Sequence, residues 1–132
     1  MLLLALPGRA WQAPRMEPVI FARNSDIEPT LVTSVDGIPT TGEARLRKLL
    51  HGPLGLLVEV RYKAGMKAPT HAHDHESYCY CVSGKIKSIV DGVEYILGPG
   101  DAVFHPTGVP HSTEVLEDSI WIEAKTPAKQ TW

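Results

Sequence analysis

At 132 residues the chain is long enough to bury a sizeable core and too short for two ordinary domains. Its formal net charge of -2, with no run of like charge, argues against a broad nucleic-acid footprint and leaves a small molecule as the expected partner. Eleven Gly, eleven Pro and 43% hydrophobic residues, without long helical periodicity, predict an all-β chain of many short strands joined by turns.

Residues 1–16 read as a disordered or mobile arm, with Met16 as an alternative start and residues 17–132 as one domain. The apolar run from Leu2 to Leu6 lacks a basic start and falls short of the roughly 7 to 15 apolar residues of a secretory core. No window approaches the ~20 apolar residues of a membrane span, so a soluble, cytoplasmic protein without a membrane partner is expected. Leu2 to Leu6 with Trp11 are an alternative cover for a neighbouring subunit.

Between Glu17 and Gly42, three prolines and short β-prone pieces (Val19-Ile20-Phe21, Leu31-Val32-Thr33) predict edge strands and loops. The alternation of Arg45, Leu46 and Arg47 leans to a strand over Arg45 to Leu50. From Leu57 to Lys63, Val58, Val60 and Tyr62 share one face and Glu59, Arg61 and Lys63 the other, so this strand is expected to have a core side and a wet side. Pro69 excludes helix before the histidines that follow. Separate strands are predicted over Tyr78 to Val82 and Lys85 to Asp91, on either side of Ser83-Gly84. Asp91-Gly92 then makes a type I′ hairpin into Val93 to Leu97. After a turn at Gly98 to Asp101 come strands at Ala102 to His105, His111 to Val115 and Asp118 to Lys125. Roughly ten short strands at hairpin spacing fit a small β-barrel or jelly roll.

Two segments carry chemistry: Gly65-x5-His71-x-His73-x10-Gly84 and Gly100-x5-Pro106-x-Gly108-x2-His111. On an extended strand His71 and His73 leave by the same face, about 7 Å apart. The Pro-x-Gly-Val-Pro turn before His111 reverses the chain and can bring this third imidazole beside them. Neutral imidazole is the commonest metal ligand, and three suit iron, zinc, copper, nickel or manganese.

This spacing resembles the paired signature motifs of the cupin superfamily, from about Gly55 to Lys125. The second motif matches through His111, and its terminal Asn position holds Val115. In the first, the usual acidic-ligand position is Ser77, with Glu76 one residue early. The resemblance implies a single-domain cupin-type β-barrel with one divalent ion, iron or zinc foremost, on His71, His73 and His111.

A hydroxyl is a poor ligand beside a carboxylate, so three neutral imidazoles would leave a dipositive centre with open positions, suited to anionic chelating substrates. His75 shares the strand parity of His71 and His73 and is a candidate fourth ligand. His75, Glu76 and His105 are the candidate proton carriers, although Glu76 points away from His73 in regular register. Cys79 and Cys81 should face inward as free thiols. Tyr78 and Tyr80 should face outward, where they suit a homodimer interface. Trp121, Trp132, Phe104 and Tyr95 read as core or interface. These features favour a metalloenzyme on a small enolisable or chelating substrate, with a dioxygenase first and a non-redox cyclase or isomerase as the alternative. A non-catalytic metal or metabolite binding module is a third reading.

Overall fold

The computed structural model describes residues 17–132, and the expectations for residues 1–16 lie outside them. Among the described residues, one turn of 3₁₀ helix (Asn24–Asp26) precedes ten strands: β1 (Thr30–Leu31), β2 (Ser34–Val35), β3 (Ile38–Pro39), β4 (Ala44–His51), β5 (Leu56–Tyr62), β6 (Lys67–His71), β7 (Glu76–Val90), β8 (Val93–Leu97), β9 (Ala102–His105) and β10 (His111–Thr126). The chain is all-β, as its composition predicts.

Two strands organise the rest. β7 and β10 pair antiparallel over almost their whole lengths, but their halves have different outer neighbours. The first half of β10 takes β6 and the second half takes β5. Likewise β9 lies beside the first half of β7, and β8 beside the second. Both long strands therefore run through two packed half-sheets, β1-β4-β5-β10-β7-β9 and β6-β10-β7-β8, while β2 and β3 form a separate hairpin. The result is a jelly-roll sandwich. Its hydrogen-bonded path ends at edge strands and does not close into the barrel that the motifs implied.

The expected separate strands on either side of Ser83-Gly84, and on either side of Leu116-Glu117, are thus continuous. The reason is that the two breaks face each other. Glu117 partners Lys85 and Ile120 partners Ser83, with register shifts around them, so both strands bend together without losing the ladder. Gly84 makes this bend possible. Its φ is +92°, and a Cβ there would sit 2.1 Å from Ser119 Oγ and 2.4 Å from the Asp118 carbonyl oxygen. In that space Ser119 Oγ accepts the Lys85 N–H at 2.9 Å.

Val58, Ile86, Leu97 and Val115 are buried to within about 2% of their surface, and Tyr62 meets Trp121 edge-on at 5.4 Å. Each such aliphatic side chain contributes roughly 1.5–3 kcal/mol by leaving water. The wet side predicted for β5 is only partly wet. Glu59 is buried because Asn24 donates to it at 3.0 Å and Arg61 at 2.9 Å, with Arg47 3.6 Å away. The segment before β1 folds over this face, which strand alternation has no means of showing.

The Asp91-Gly92 hairpin forms as predicted, with φ of 51° and 80°. The same dipeptide at Asp36-Gly37, with φ of 50° and 79°, makes the β2–β3 hairpin within the stretch expected to form edge strands and loops.

Candidate metal centre

His71 ends β6 and His111 begins β10, and the two are Cα partners in the β6–β10 ladder. Pro106 to Val109 form the turn that delivers His111, and the Gly108 N–H donates to the His73 carbonyl at 2.7 Å, tying that turn to the loop after β6. The three rings form a nearly equilateral triangle: centroids lie 4.4 Å apart for His71–His111 and 4.7 Å apart for both His71–His73 and His73–His111. Each offers a ligand nitrogen, and these lie within 4.8 Å of one another. Two metal–nitrogen bonds of ~2.1 Å each span at most about 4.2 Å, so an ion would draw the rings slightly together.

All three rings are oriented through the nitrogen remote from the cluster. The Nδ1–H of His71 donates to the Pro69 carbonyl at 2.6 Å, that of His111 to the Val109 carbonyl at 3.2 Å, and that of His73 to the Asp36 carboxylate. Acceptors at every Nδ1 fix the tautomer that leaves each Nε2 lone pair free. Burial lowers the pKa of His73 despite Asp36, and pushes that of His111 down to about 3, with neighbouring imidazoles adding to the effect. Neutral, oriented imidazoles are what a divalent ion requires, so the donor set fits the implied metal.

The remaining predicted site residues are placed differently. His75 is buried and stacks on His73 at 4.3 Å, yet both its ring nitrogens lack a partner and it lies outside the set of mutually close ligand atoms. Burial takes its pKa down to about 4. His105 is buried and stacks on His111 at 3.9 Å; its Nε2 lies 3.1 Å from Ser88 Oγ. Burial holds its pKa near 4 too. Ser77 is fully buried on the inward face of β7. Glu76 is not brought into the cluster: its carboxylate accepts from the exposed Tyr78 hydroxyl at 2.7 Å, on the opposite face of β7 from Ser77. Cys79 and Cys81 are buried free thiols, as alternation predicts.

The cluster opens into a small cavity lined also by His105, Glu123, Lys125, Thr131 and Trp132. The last four are functional candidates that the motif spacing does not include. Burial pushes the Glu123 carboxyl upward in pKa, but Lys125, His105, the Ser77 hydroxyl and His73 together outweigh this and hold it below the usual carboxylate range. Lys125 Nζ lies 3.5 Å from Glu123 Oε2, donates to Thr131 Oγ1 at 2.6 Å, and sits 5.3 Å from the centroid of the Trp132 ring. Trp132 packs against the core, as expected, and is also part of the cavity wall. Residues 127–132 reach it along a path pinned by Lys129 to Asp74 and by the Asp36 N–H donating to the Thr131 carbonyl at 2.8 Å. Counting every second residue from His111 reaches Trp121, Glu123 and Lys125, which is the signal that would have found them.

Fold and site together define a small antiparallel jelly roll with three oriented histidines in its cavity. The chain belongs to the cupin domain family, whose model matches residues 58–124, just over half of the sequence. Among solved structures it is similar to an RmlC-like cupin from Shewanella frigidimarina, at 26% identity and a TM-score of 0.74 over 87% of this chain and 97% of that one. It is also similar to KdgF from Halomonas sp., at 27% identity and a TM-score of 0.71 over 83% of this chain and 95% of that one. A curated relative, dimethylsulfoniopropionate lyase DddQ from Ruegeria pomeroyi, is 38% identical over 55 residues, which are 41% of this chain and 27% of the lyase. The chain thus matches about a quarter of that relative's length.

Among the described residues no helix is long and apolar enough to cross a membrane.

Proposed function

We propose that this chain is a mononuclear metal-dependent enzyme that transfers protons on a small chelating organic substrate. One observation carries the reading: a cavity in which three oriented imidazoles share the wall with a buried carboxylate, Glu123, 3.5 Å from the Lys125 ammonium. A divalent ion on His71, His73 and His111 would supply Lewis acidity toward a bound carbonyl or carboxylate oxygen. Iron and zinc both suit this donor set. Glu123 then takes the proton from the carbon beside that oxygen-bearing group, and Lys125 stabilises the carboxylate before the transfer. His105, stacked behind His111 and bonded to Ser88, fixes the ligand ring and stands in reserve as a proton carrier. The similarity to a lyase supports proton abstraction, since elimination begins with that step.

A specific observation favours a second reading. Ser77 at the position usually acidic leaves three neutral ligands, which suits a dioxygenase with iron. A purely binding module ranks third.

The test is elemental mass spectrometry on protein purified without chelator or affinity-tag nickel, beside His111→Ala. One equivalent of metal, lost in the variant, is expected; full occupancy in the variant removes the triad. Deuterium uptake by small oxo acids and hydroxy acids in heavy water, lost in Glu123→Gln, supports proton transfer. Oxygen consumption without deuterium uptake moves the assignment to the dioxygenase.

A further inference from the structure

Lys125 is a cation that the fold buries at some cost. Its residue is only 5% exposed, and a buried ammonium is stabilised only by good hydrogen bonds and opposite charge. An ammonium has three donors. Thr131 Oγ1 takes one at 2.6 Å, whereas Glu123 at 3.5 Å is at the outer limit of a direct bond, so donor capacity is left unused in the cavity wall. The Trp132 ring covers the ammonium and contributes cation–π attraction without accepting a hydrogen bond.

The charge balance points the same way. Glu123 and Lys125 lie in the wall, and Asp36 stands behind His73. A divalent ion on the three imidazoles would leave this group of charges with one net positive charge. The cavity therefore suits a singly charged anion that places one end on the ligand cluster and the other on Lys125.

We propose that Lys125, positioned by Thr131 and covered by Trp132, recognises the carboxylate of the substrate, which makes the substrate a small monocarboxylate. This rests on the reading of the cavity as the substrate site. Lys125 and Thr131 are then specificity determinants lying outside the metal-ligand set, and the segment 127–132 is what completes the anion pocket.

The experiment titrates butanoate and its uncharged isostere butanamide into the metal-loaded protein, followed by calorimetry and by tryptophan fluorescence, which Trp132 makes responsive at the proposed contact. In the wild type, butanoate should bind at least about tenfold more tightly than butanamide. Lys125→Met should remove that preference while metal content, measured separately, stays unchanged; Lys125→Arg should keep it within about threefold of wild type. Lys125→Gln, which preserves a donor toward Thr131, replaces the methionine variant if the latter does not fold. Butanoate binding as tight in the neutral variant as in the wild type overturns the proposal. Repeating the titration on chelator-treated protein separates the two readings. A butanoate preference that survives metal removal and is lost in Lys125→Met supports the anchor even if the metal-dependent reading fails. A preference lost with the metal alone assigns the carboxylate to the ion and overturns the anchor.

Discussion

The carboxylate of Asp36, on the turn between β2 and β3, accepts the Nδ1–H of His73, joining a hairpin tip to the ligand cluster across 37 positions of sequence. It is the only one of the three Nδ1 acceptors that is charged, and it both fixes the ring and raises its basicity. Asp36→Asn should therefore weaken metal binding by about 10- to 100-fold with the fold intact, measured by competition with a chromophoric chelator. Unchanged affinity would show that the contact serves only to dock the hairpin.

Acid should unfold the metal-free protein through its histidines. His105 and His111 have native pKa values of about 4 and about 3, against about 6.5 when unfolded. Above pH 6.5 both states are neutral and stability is fully present. Below it the unfolded chain takes up protons first, so stability falls as pH drops from 6.5 through 4. For His105 alone the loss is on the order of 3 kcal/mol. Urea titrations at pH 7 and pH 4.5 should show it, and His105→Gln should flatten the dependence. An equally steep profile in that variant would assign the acid sensitivity elsewhere.

Gly84→Ala should be among the more damaging single substitutions in the chain. The positive φ costs about 1 kcal/mol or more, and the new methyl would overlap Ser119 and the Asp118 carbonyl. A fall of at least about 2 kcal/mol in unfolding free energy is expected. A neutral result would mean that the two long strands can separate at their bend without loss.

Tyr78 and Phe104 stack at 4.9 Å on the outer face of β7 and β9, with Tyr80 and Val82 exposed beside them. Such a patch on an edge of the sandwich is expected to be covered by a second copy. Light scattering should give a dimer for the wild type and a monomer for Tyr80→Glu combined with Phe104→Glu. A monomeric wild type at all concentrations would refute the assignment.

The parts of the fold and site written in local spacing were legible. His71 and His73 differ by two positions, His111 follows a proline-bounded turn, and Asp91-Gly92 names its own hairpin. What escaped was made by contacts remote in sequence or hidden by a bend. Asp36 meets His73 only once the β2–β3 hairpin packs down. Glu59 is buried by Asn24 and Arg47, which alternation along β5 does not contain. Glu123 and Lys125 escape because Leu116-Glu117 reads as a break between a strand ending at Val115 and another starting at Asp118. The inward parity set by His111 runs through that bend unchanged.

That continuity has a genetic consequence. His111 and the Glu123–Lys125 pair sit on one rail, β10, on opposite sides of the bend at residues 116–118. A single-residue insertion or deletion there would touch none of them. It would nonetheless shift the second half of the strand by one step and turn its outward set, Ile122 and Ala124 among it, inward. The length of this short exposed bend is therefore an inherited gauge: a frame-preserving change of one codon could exchange a charged cavity wall for an apolar one while leaving every histidine where it stands.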